Sequence, residues 1–210
     1  MAGYFISFEG IDFSGKSVQC RRLREALEAA GQSVVAIREP GGTAISESVR
    51  RILLDANHTA MTARAEVLLY AAARAQIVDE IIRPALAKNQ IVLADRFMDS
   101  TVAYQGHGRQ LDLEFVRRII AFAVNGTVPS LTFFLDVSIA AADERRRSSG
   151  RVADRLEGEA AAFHQRVRDG YLAMAREAPE RFVIIDGALT EDRVASAVRR
   201  AVSERLGIQL

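Results

Sequence analysis

The chain has 210 residues, of which 49% are hydrophobic and 26% are charged, with a formal net charge of only +1. This length fits a single domain with a large core, and the composition excludes disordered and fibrous chains. The charge gives no chain-wide attraction to nucleic acid or an anionic membrane, so we expect neither as a partner. Cys20 is the sole cysteine, which excludes an intrachain disulfide and predicts a cytoplasmic protein.

Short β-rich segments alternate with longer helical ones along the chain. The β-rich segments are YFISF, SVVAI, IVLAD, LTFFLDV and FVIID. This alternation predicts an α/β fold with a doubly wound parallel sheet, formed as one domain over residues 1–210. In the first helix the apolar spacing of Cys20, Leu23, Leu27 and Ala30 predicts the buried face. A second, long helix is expected from Thr62 to Lys88, interrupted only at Pro84.

The run FEGIDFSGKSVQC follows the first β-rich segment and opens the first helix. It contains the spacing Gly10-x-x-x-x-Gly15-Lys16-Ser17, in which backbone N–H groups cradle phosphates. Lys16 is expected to reach the β and γ phosphates and Ser17 to bind Mg²⁺. A chance glycine-rich turn is the alternative, which the strand-loop-helix setting disfavours. The predicted ATP-binding residues of this loop are Gly10, Ile11, Asp12, Phe13, Ser14, Gly15, Lys16 and Ser17.

Two residues of this loop are unusual for a phosphate cradle. Asp12 places a carboxylate among groups that attract anions, which is costly unless it contacts a magnesium-bound water or a substrate hydroxyl. A capping or solvent-facing role is the alternative for Asp12. Phe13 carries no charge, so an arginine at the transferring phosphate must come from elsewhere in the chain.

Arginines follow two further predicted strands. Arg38 begins REPGGT after the second strand, and Arg96 lies in ADRFMDSTVAYQGHGR at the end of the third. The carboxyl ends of parallel strands share one edge of a sheet, so the pair is suited to a second phosphate group. Either arginine alone could instead form a structural salt bridge.

A charged stretch, ERRRSSGRVADRLEGE, separates the last two predicted strands. Its Ser and Gly residues predict a short mobile lid over about residues 145–157, inserted in the single domain. Its arginines could supply the cation that Phe13 does not, although a solvated arginine face is the alternative for each one. The arginines of this stretch are Arg145, Arg146, Arg147, Arg151 and Arg155.

In combination these motifs resemble bacterial thymidylate kinases. The resemblance rests on Glu9-Gly10 and Asp12, REPGGT, YAAARAQ, DRFMDSTVAYQGHGR and LTFFLDV, and it covers nearly the whole chain. It implies a P-loop NTPase fold with a five-stranded sheet and Mg-dependent transfer of the γ-phosphoryl group of ATP to dTMP, in dTTP synthesis. It also implies a homodimer through long apolar helices such as the one containing Leu68 and Ile77.

The resemblance also implies roles for individual residues. It places on dTMP the residues Asp12, Arg38, Tyr70, Arg74, Arg96, Ser100, Thr101, Tyr104 and Gln105. Asp12 is expected to hold the sugar 3′-hydroxyl, and Arg38 and Arg96 the acceptor phosphate. Arg74 is expected to bind thymine and Tyr70 to stack on it, although plain core packing would otherwise be preferred for Tyr70.

The remaining expected contacts concern the sugar, the metal and ATP. Ser100 and Thr101 resemble base-edge contacts, Tyr104 crowds the 2′ position, and Gln105 adds a polar contact. The chain is expected to turn sharply near Gly106 and Gly108, with His107 a solvated loop residue. The resemblance places Asp95 beside Mg²⁺, directly or through water, and Arg145 against adenine. The expected catalytic residues are Lys16, Arg96, Arg147 and Arg151.

Two other functions remain open at this point. One is another nucleoside-monophosphate kinase, with uridylate or broader deoxynucleotide specificity. The other is a nucleotide-binding switch that hydrolyses slowly, although the sequence contains no Asn-Lys-x-Asp guanine-reading motif. ADP release with different acceptors would separate these functions.

Overall fold

The structure, a computed structural model, describes residues 3–150 and 154–210. Its strands are β1 (Phe5–Glu9), β2 (Val34–Arg38), β3 (Ile91–Asp95), β4 (Leu131–Asp136) and β5 (Phe182–Asp186). Its α-helices are α1 (Lys16–Ala29), α2 (Ala44–Leu54), α3 (Ala63–Ile77), α4 (Arg83–Ala87), α5 (Met98–Thr101), α6 (Leu113–Val124), α7 (Ile139–Ser149), α8 (Ala161–Glu177) and α9 (Glu191–Leu206). Each predicted strand is confirmed to within about one residue at its ends.

The five strands form a parallel sheet in the order β2-β3-β1-β4-β5. The chain adds β2 and β3 on one side of β1 and β4 on the other, so the strand order reverses at β1. Ligands of open α/β sheets bind outside the carboxyl ends of the strands at such a point. The loop after β1 therefore lies where the topology favours a nucleotide site.

Helices cover both faces of this sheet because successive strand residues point to opposite sides. On one face the apolar core includes Phe5, Val67, Val116, Phe134 and Val167. On the other face it includes Ile6, Leu23, Leu27, Phe133 and Val198. The buried face predicted for α1 is confirmed at Cys20, Leu23 and Leu27, whereas Ala30 caps the helix and is exposed.

The long helix expected from Thr62 to Lys88 is present, but its irregular part lies before Pro84. Thr62 accepts a hydrogen bond from the Ala65 amide and caps the start of α3. Val78–Ile82 then widens into a π-helix that leads into α4. In a regular α-helix the ring of Pro84 would clash with the carbonyl of Glu80, so a wider turn at this point accommodates the proline.

The sharp turn expected near Gly106 and Gly108 lies just after them, at Arg109 and Gln110, where Gln110 has a φ of 58°. Val102–Gly108 forms a second π-helix that packs against α8. A Cβ on Gly108 would lie 2.7 Å from Phe163, so the glycine permits this close contact. His107 is half-buried against Gly170 rather than a solvated loop residue. The segment carrying Tyr104 and Gln105 is consequently held as helix.

The expected lid begins as regular helix. Arg145 and Arg147 belong to α7, which continues to Ser149 and ends with Gly150 in the left-handed conformation. Among the helices of the described ranges, none is long and apolar enough to cross a membrane.

Candidate active site

The loop between β1 and α1 has the backbone that its glycines predict. Gly10 and Gly15 have φ angles of 143° and 96°, and a Cβ on Gly10 would lie 2.7 Å from the Leu135 carbonyl oxygen. Phe13 adopts a φ of 61° without being glycine, which is strain of the kind found at functional sites. The loop is thus held in a special conformation by β4 beside it.

Lys16 lies folded against this loop. Its Nζ donates to the Ile11 carbonyl oxygen over 2.8 Å, and the residue is only 6% exposed. Burial and the nearby Arg96 guanidinium lower the pKa of Lys16 to about 8. A phosphate anion at the loop would favour the charged lysine, because an opposite charge stabilises the ammonium form.

Ser17 and Asp95 meet at the same edge of the sheet. The Ser17 hydroxyl donates a hydrogen bond to the Asp95 carboxylate at the end of β3. Within residues 3–150 and 154–210 there is no group of three or more His, Cys, Asp or Glu side chains arranged to hold a metal ion. The pair nevertheless supplies two hard oxygen ligands next to a phosphate loop, which suits a cation that also takes water and phosphate oxygens.

Asp12, Arg96 and Tyr104 form one hydrogen-bonded cluster above the loop. Arg96 Nη2 donates to Asp12 Oδ1 at 2.6 Å and to the Tyr104 hydroxyl at 3.0 Å, and that hydroxyl donates to Asp12 Oδ2 at 2.9 Å. Burial disfavours the charged carboxylate, but Arg96 and Lys16 outweigh it and hold the pKa of Asp12 well below its usual value. Asp12 is therefore ionised and oriented at neutral pH.

A second layer holds Arg96 in place. Glu9 accepts hydrogen bonds from the Phe97 amide, the Ser100 hydroxyl and the Tyr171 hydroxyl over 2.6–2.8 Å. Arg96 Nη1 in turn donates to the Gly10 carbonyl oxygen and to Ser100. Tyr171 belongs to α8, and no sequence signal marked it, because a single tyrosine in an amphipathic helix looks like core.

Glu9 makes stability depend on pH in a defined window. Burial first, and then the Asp99 carboxylate, raise the pKa of Glu9 from 4.5 to about 7. The folded state therefore keeps a proton that the unfolded state has lost between about pH 4.5 and 7, so the free energy of unfolding falls as pH rises through this range.

We expect Glu9→Gln to flatten that fall, because glutamine mimics the protonated carboxyl. Urea unfolding of both proteins at pH 4.5, 6 and 7.5 measures the effect as a difference between the two curves. Glu39 also has a raised pKa, and it contributes equally to both proteins. Parallel curves for the two proteins would contradict the expectation.

Arg74 lies under the opposite part of the cleft and is 1% exposed. Its Nε and Nη2 donate to Glu39 Oε2 over 2.9 and 2.7 Å, its Nη1 donates to Thr101 at 2.8 Å, and Nη2 also reaches the Phe97 carbonyl oxygen at 3.0 Å. Tyr70, one helical turn earlier, is half-buried and also lines the cleft. Glu39 lies in the REPGGT motif, but the sequence alone assigned no role to it.

Glu66 is a further residue that the sequence analysis missed. It is buried one turn before Tyr70 and accepts hydrogen bonds from Gln105, Arg109 and Arg155. The spacing 66, 70 and 74 on one helix face was a visible signal for it. Gln105 is thereby tied to α3.

The remaining predicted arginines have different surroundings. Arg145 donates to the carbonyl oxygens of Phe13 at 3.2 Å and Gly187 at 2.7 Å, next to the phosphate loop. Arg147 is 74% exposed and paired with Asp143, outside the cleft lining. Arg151 lies outside the described residues.

Arg38 is 50% exposed and donates to Glu47 at 2.9 Å. Arg50 also lines the cleft, where burial and Arg38 lower its pKa, and the sequence analysis missed it. Arg38, Arg50 and Arg96 thus supply cations to one cleft.

These groups surround one cleft of about 710 Å³, a size typical of small-molecule sites. The predicted residues that line it are Asp12, Phe13, Gly15, Lys16, Ser17, Arg38, Tyr70, Arg74, Asp95, Arg96, Ser100, Thr101, Tyr104, Gln105 and Arg145. The cleft thus joins a phosphate loop to a second pocket rich in arginine and tyrosine.

Comparisons with known proteins agree with one another. The sequence model of the family described as thymidylate kinase matches residues 8–198. The chain is 46% identical over 209 residues to a thymidylate kinase of Citrifermentans bemidjiense, covering 97% of this chain and 93% of that protein. It is 48% identical over 206 residues to one of Pelotomaculum thermopropionicum, covering 98% and 95%. A crystal structure of thymidylate kinase from Ehrlichia chaffeensis is similar, with a TM-score of 0.78, 33% identity and coverage of 96% and 99%.

Proposed function

This chain belongs to the thymidylate kinase family, and from that premise we propose that its cleft transfers the γ-phosphoryl group of ATP to dTMP, giving dTDP and ADP. The observation that carries the proposal is the Asp12, Arg96 and Tyr104 cluster, which joins the phosphate loop to the pocket of Arg74. A donor phosphate and an acceptor phosphate can then meet in one cleft.

ADP release in a coupled assay tests the proposal. We expect turnover with dTMP, less with dUMP and little with UMP, and none without Mg²⁺. ADP release that needs no acceptor would indicate a nucleotide-binding switch, and a preference for UMP would indicate a uridylate kinase. Either outcome would overturn the thymidylate assignment.

The acceptor is proposed to lie between α3 and the segment after β3. Arg38 and Arg96 hold its phosphate, and Asp12 its 3′-hydroxyl. Thymine lies on Tyr70, and the ring of Tyr104 closes the space at the sugar 2′ position. The other proposed base contacts are Arg74, Ser100, Thr101 and Gln105. This placement is supported by the cleft lining, which includes all of these residues.

The donor is proposed to bind the loop from Gly10 to Ser17. Its amides and Lys16 hold the phosphates, and Arg145 lies against adenine, as its contacts with Phe13 and Gly187 support. Mg²⁺ would be held by Ser17, with Asp95 directly or through water. When bound, the ion offsets charge on the β and γ phosphate oxygens.

The reaction needs positioning and charge neutralisation more than a strong base. A monophosphate is largely a dianion at neutral pH, since its second pKa is about 6, so its oxygen can attack the γ-phosphorus directly. Lys16 and Arg96 reduce the repulsion between the two anions. Asp12 fixes the sugar, which aligns the attacking oxygen with the leaving group.

The lid, residues 145–157, is proposed to close over ATP. Arg147 and Arg151 would then join Lys16 and Arg96 in neutralising the charge of the transferring phosphoryl group. Arg147 is paired with Asp143, so a contact between Arg147 and ATP requires Arg147 to leave Asp143. Closure would also exclude water that could hydrolyse ATP.

We expect Arg147→Ala and Arg151→Ala each to lower kcat on the order of 10³-fold, with much less change in the KM for ATP, because these arginines would neutralise charge on the transferring phosphoryl group. Steady-state kinetics measure both constants, and Arg146→Ala, which removes the neighbouring arginine of the same helix, is the matched control. Unchanged kcat in both variants would show that the lid supplies no catalytic cation.

A homodimer is proposed through α3 and α6, which pack side by side. Large apolar side chains are exposed there: Leu68 is 55% exposed, and Phe115 and Phe122 are exposed on α6. Burial of such side chains is a strong drive for association. Ile77, at the end of the same helix, is fully buried within the core of the chain and does not belong to this exposed surface.

We expect Phe122→Asp to convert the dimer to a monomer, because it would bury an unpaired charge at the interface. Light scattering after size-exclusion chromatography measures the mass. Leu189→Asp, at an exposed apolar residue after β5, is the control and should leave the dimer intact. A dimeric mass for Phe122→Asp, or a monomeric mass for the wild type, would contradict the proposed interface.

A cytoplasmic location is also proposed and agrees with the single, buried, free Cys20.

A further inference from the structure

Glu66 has an unusual set of partners for a carboxylate under a substrate cleft. Its Oε1 accepts from Gln105 Nε2 at 2.8 Å and from Arg109 Nε at 3.2 Å. Its Oε2 accepts from Arg109 Nη2 at 3.1 Å and from Arg155 Nη1 at 2.5 Å. Glu66 is almost fully buried, so these bonds are shielded from water and fixed in direction.

An ionised carboxylate can only accept hydrogen bonds. Burial opposes the charge of Glu66, but hydrogen bonds from Arg109 and Gln105 outweigh it and lower the pKa of Glu66. The Gln105 amide must therefore turn its NH₂ group toward Glu66. The carbonyl oxygen is then the end of the amide that remains for a ligand, and Gln105 lines the cleft beside Thr101 and Tyr104.

We propose that Glu66 is a positioning residue that sets base specificity, because it fixes the Gln105 amide so that its carbonyl oxygen accepts a hydrogen bond from an N–H group of the acceptor base. The inference rests on the proposed function. Thymine and uracil carry a hydrogen on N3, which can donate to the Gln105 carbonyl oxygen. N3 of cytosine is an acceptor and would face the Gln105 carbonyl oxygen, which is also an acceptor. Glu66 thus makes the cleft select 2,4-dioxopyrimidines without touching the substrate.

The partners of Glu66 also predict what a neutral substitute does. In Glu66→Gln, the amide oxygen stays at the position of Oε2, which has two arginine donors, whereas the position of Oε1 has one, Arg109 Nε. The new NH₂ group then occupies the position of Oε1 and faces Gln105. Two NH₂ groups cannot bond to each other, so the Gln105 amide rotates, offers its carbonyl to residue 66, and turns its NH₂ group to the cleft.

The experiment measures the dissociation constants of dTMP and dCMP by calorimetry, together with kcat/KM for dTMP. The proteins are the wild type, Glu66→Gln, Gln105→Met and the double variant. We expect Glu66→Gln to reduce the preference for dTMP over dCMP at least about tenfold, through weaker dTMP and stronger dCMP binding. When position 105 is already methionine, Glu66→Gln should leave the ratio of the dCMP and dTMP dissociation constants unchanged, because no amide remains at position 105 to rotate.

A purely structural role for Glu66 predicts a different result, in which binding of both nucleotides weakens equally and the ratio stays constant. That result would overturn the inference. A change in the ratio that persists in the Gln105→Met background would also overturn it. If the wild type neither binds nor phosphorylates dTMP, the proposed function itself fails, and this outcome is separate.

A second variant covers the case in which Glu66→Gln does not fold, as judged by circular dichroism. Glu66→Asp keeps the negative charge near Arg109 and Arg155 but withdraws the carboxylate by one methylene from these arginines and from Gln105. The amide is then free to present either end, so the preference should shrink toward equality without reversing. If Glu66→Asp kept the wild-type preference for dTMP over dCMP, the inference would be overturned.

Discussion

Replacement of Arg96 by alanine is expected to lower kcat/KM for dTMP on the order of 10³-fold or more, with little change in the KM for ATP. The Arg96 guanidinium bonds the Gly10 carbonyl oxygen and the Asp12 carboxylate, so it lies between the phosphate loop and the acceptor pocket. In the proposed function, its removal takes a cation from the acceptor phosphate. It also leaves Asp12 buried without its closest counter-charge next to two bound anions.

Steady-state kinetics at varied dTMP and ATP concentrations measure this effect. Arg96→Lys should recover only part of the loss, since an ammonium cannot make the forked contacts of a guanidinium. Arg24→Ala is the control, because Arg24 is an exposed arginine paired with Glu28 on α1. Activity of Arg96→Ala within about tenfold of the wild type would show that Arg96 is only structural.

Replacement of Arg74 by methionine is expected to lower the free energy of unfolding by about 3–5 kcal/mol. The substitution leaves the Glu39 carboxylate buried without its counter-ion, and Thr101 and the Phe97 carbonyl oxygen lose a donor. Arg74 also contacts the ring face of Phe97 at 5.3 Å, and methionine replaces only part of that packing. Urea unfolding followed by circular dichroism measures the change.

The double variant Glu39→Gln with Arg74→Met separates the buried charge from the lost packing. It should be more stable than Arg74→Met alone, because no unpaired carboxylate remains. Arg83→Met is the control, since its pair with Asp79 is exposed and such pairs contribute less than about 1 kcal/mol. Equal destabilisation by Arg74→Met and Arg83→Met would contradict the importance assigned to the buried pair.

The charged groups of the cleft already have partners before substrates bind. Lys16 bonds the Ile11 carbonyl oxygen, and Arg96 bonds Asp12. Each of these contacts has a chemical substitute in the proposed substrates, namely phosphate oxygens for the two cations and a hydroxyl for Asp12. A site held in this way is preorganised, because its dipoles and charges need little rearrangement when the substrates arrive.

Much of the fold could be predicted because its signals are local. The alternation of apolar strands and amphipathic helices gave the five-stranded parallel sheet, and the glycine spacing placed the loop from Gly10 to Gly15 at its edge. The predictions failed where packing decided the conformation. The segment around Gly106 has the composition of a turn, yet contact with α8 holds it as a π-helix.

The sequence by itself determined which motif residues are proposed to carry the chemistry, including Lys16 in the loop, Asp12 beside it and Arg96 after β3. The tertiary structure decided how those groups are held. Tyr171 reaches Glu9 across 162 positions of sequence, and Glu66 meets Gln105 across 39. Periodicity and residue spacing report local backbone structure, whereas the partner of a buried charge depends on which distant segments the core brings together. The residues proposed to carry the chemistry were therefore readable from the sequence, whereas the distant partners that orient them could be identified only from the tertiary structure.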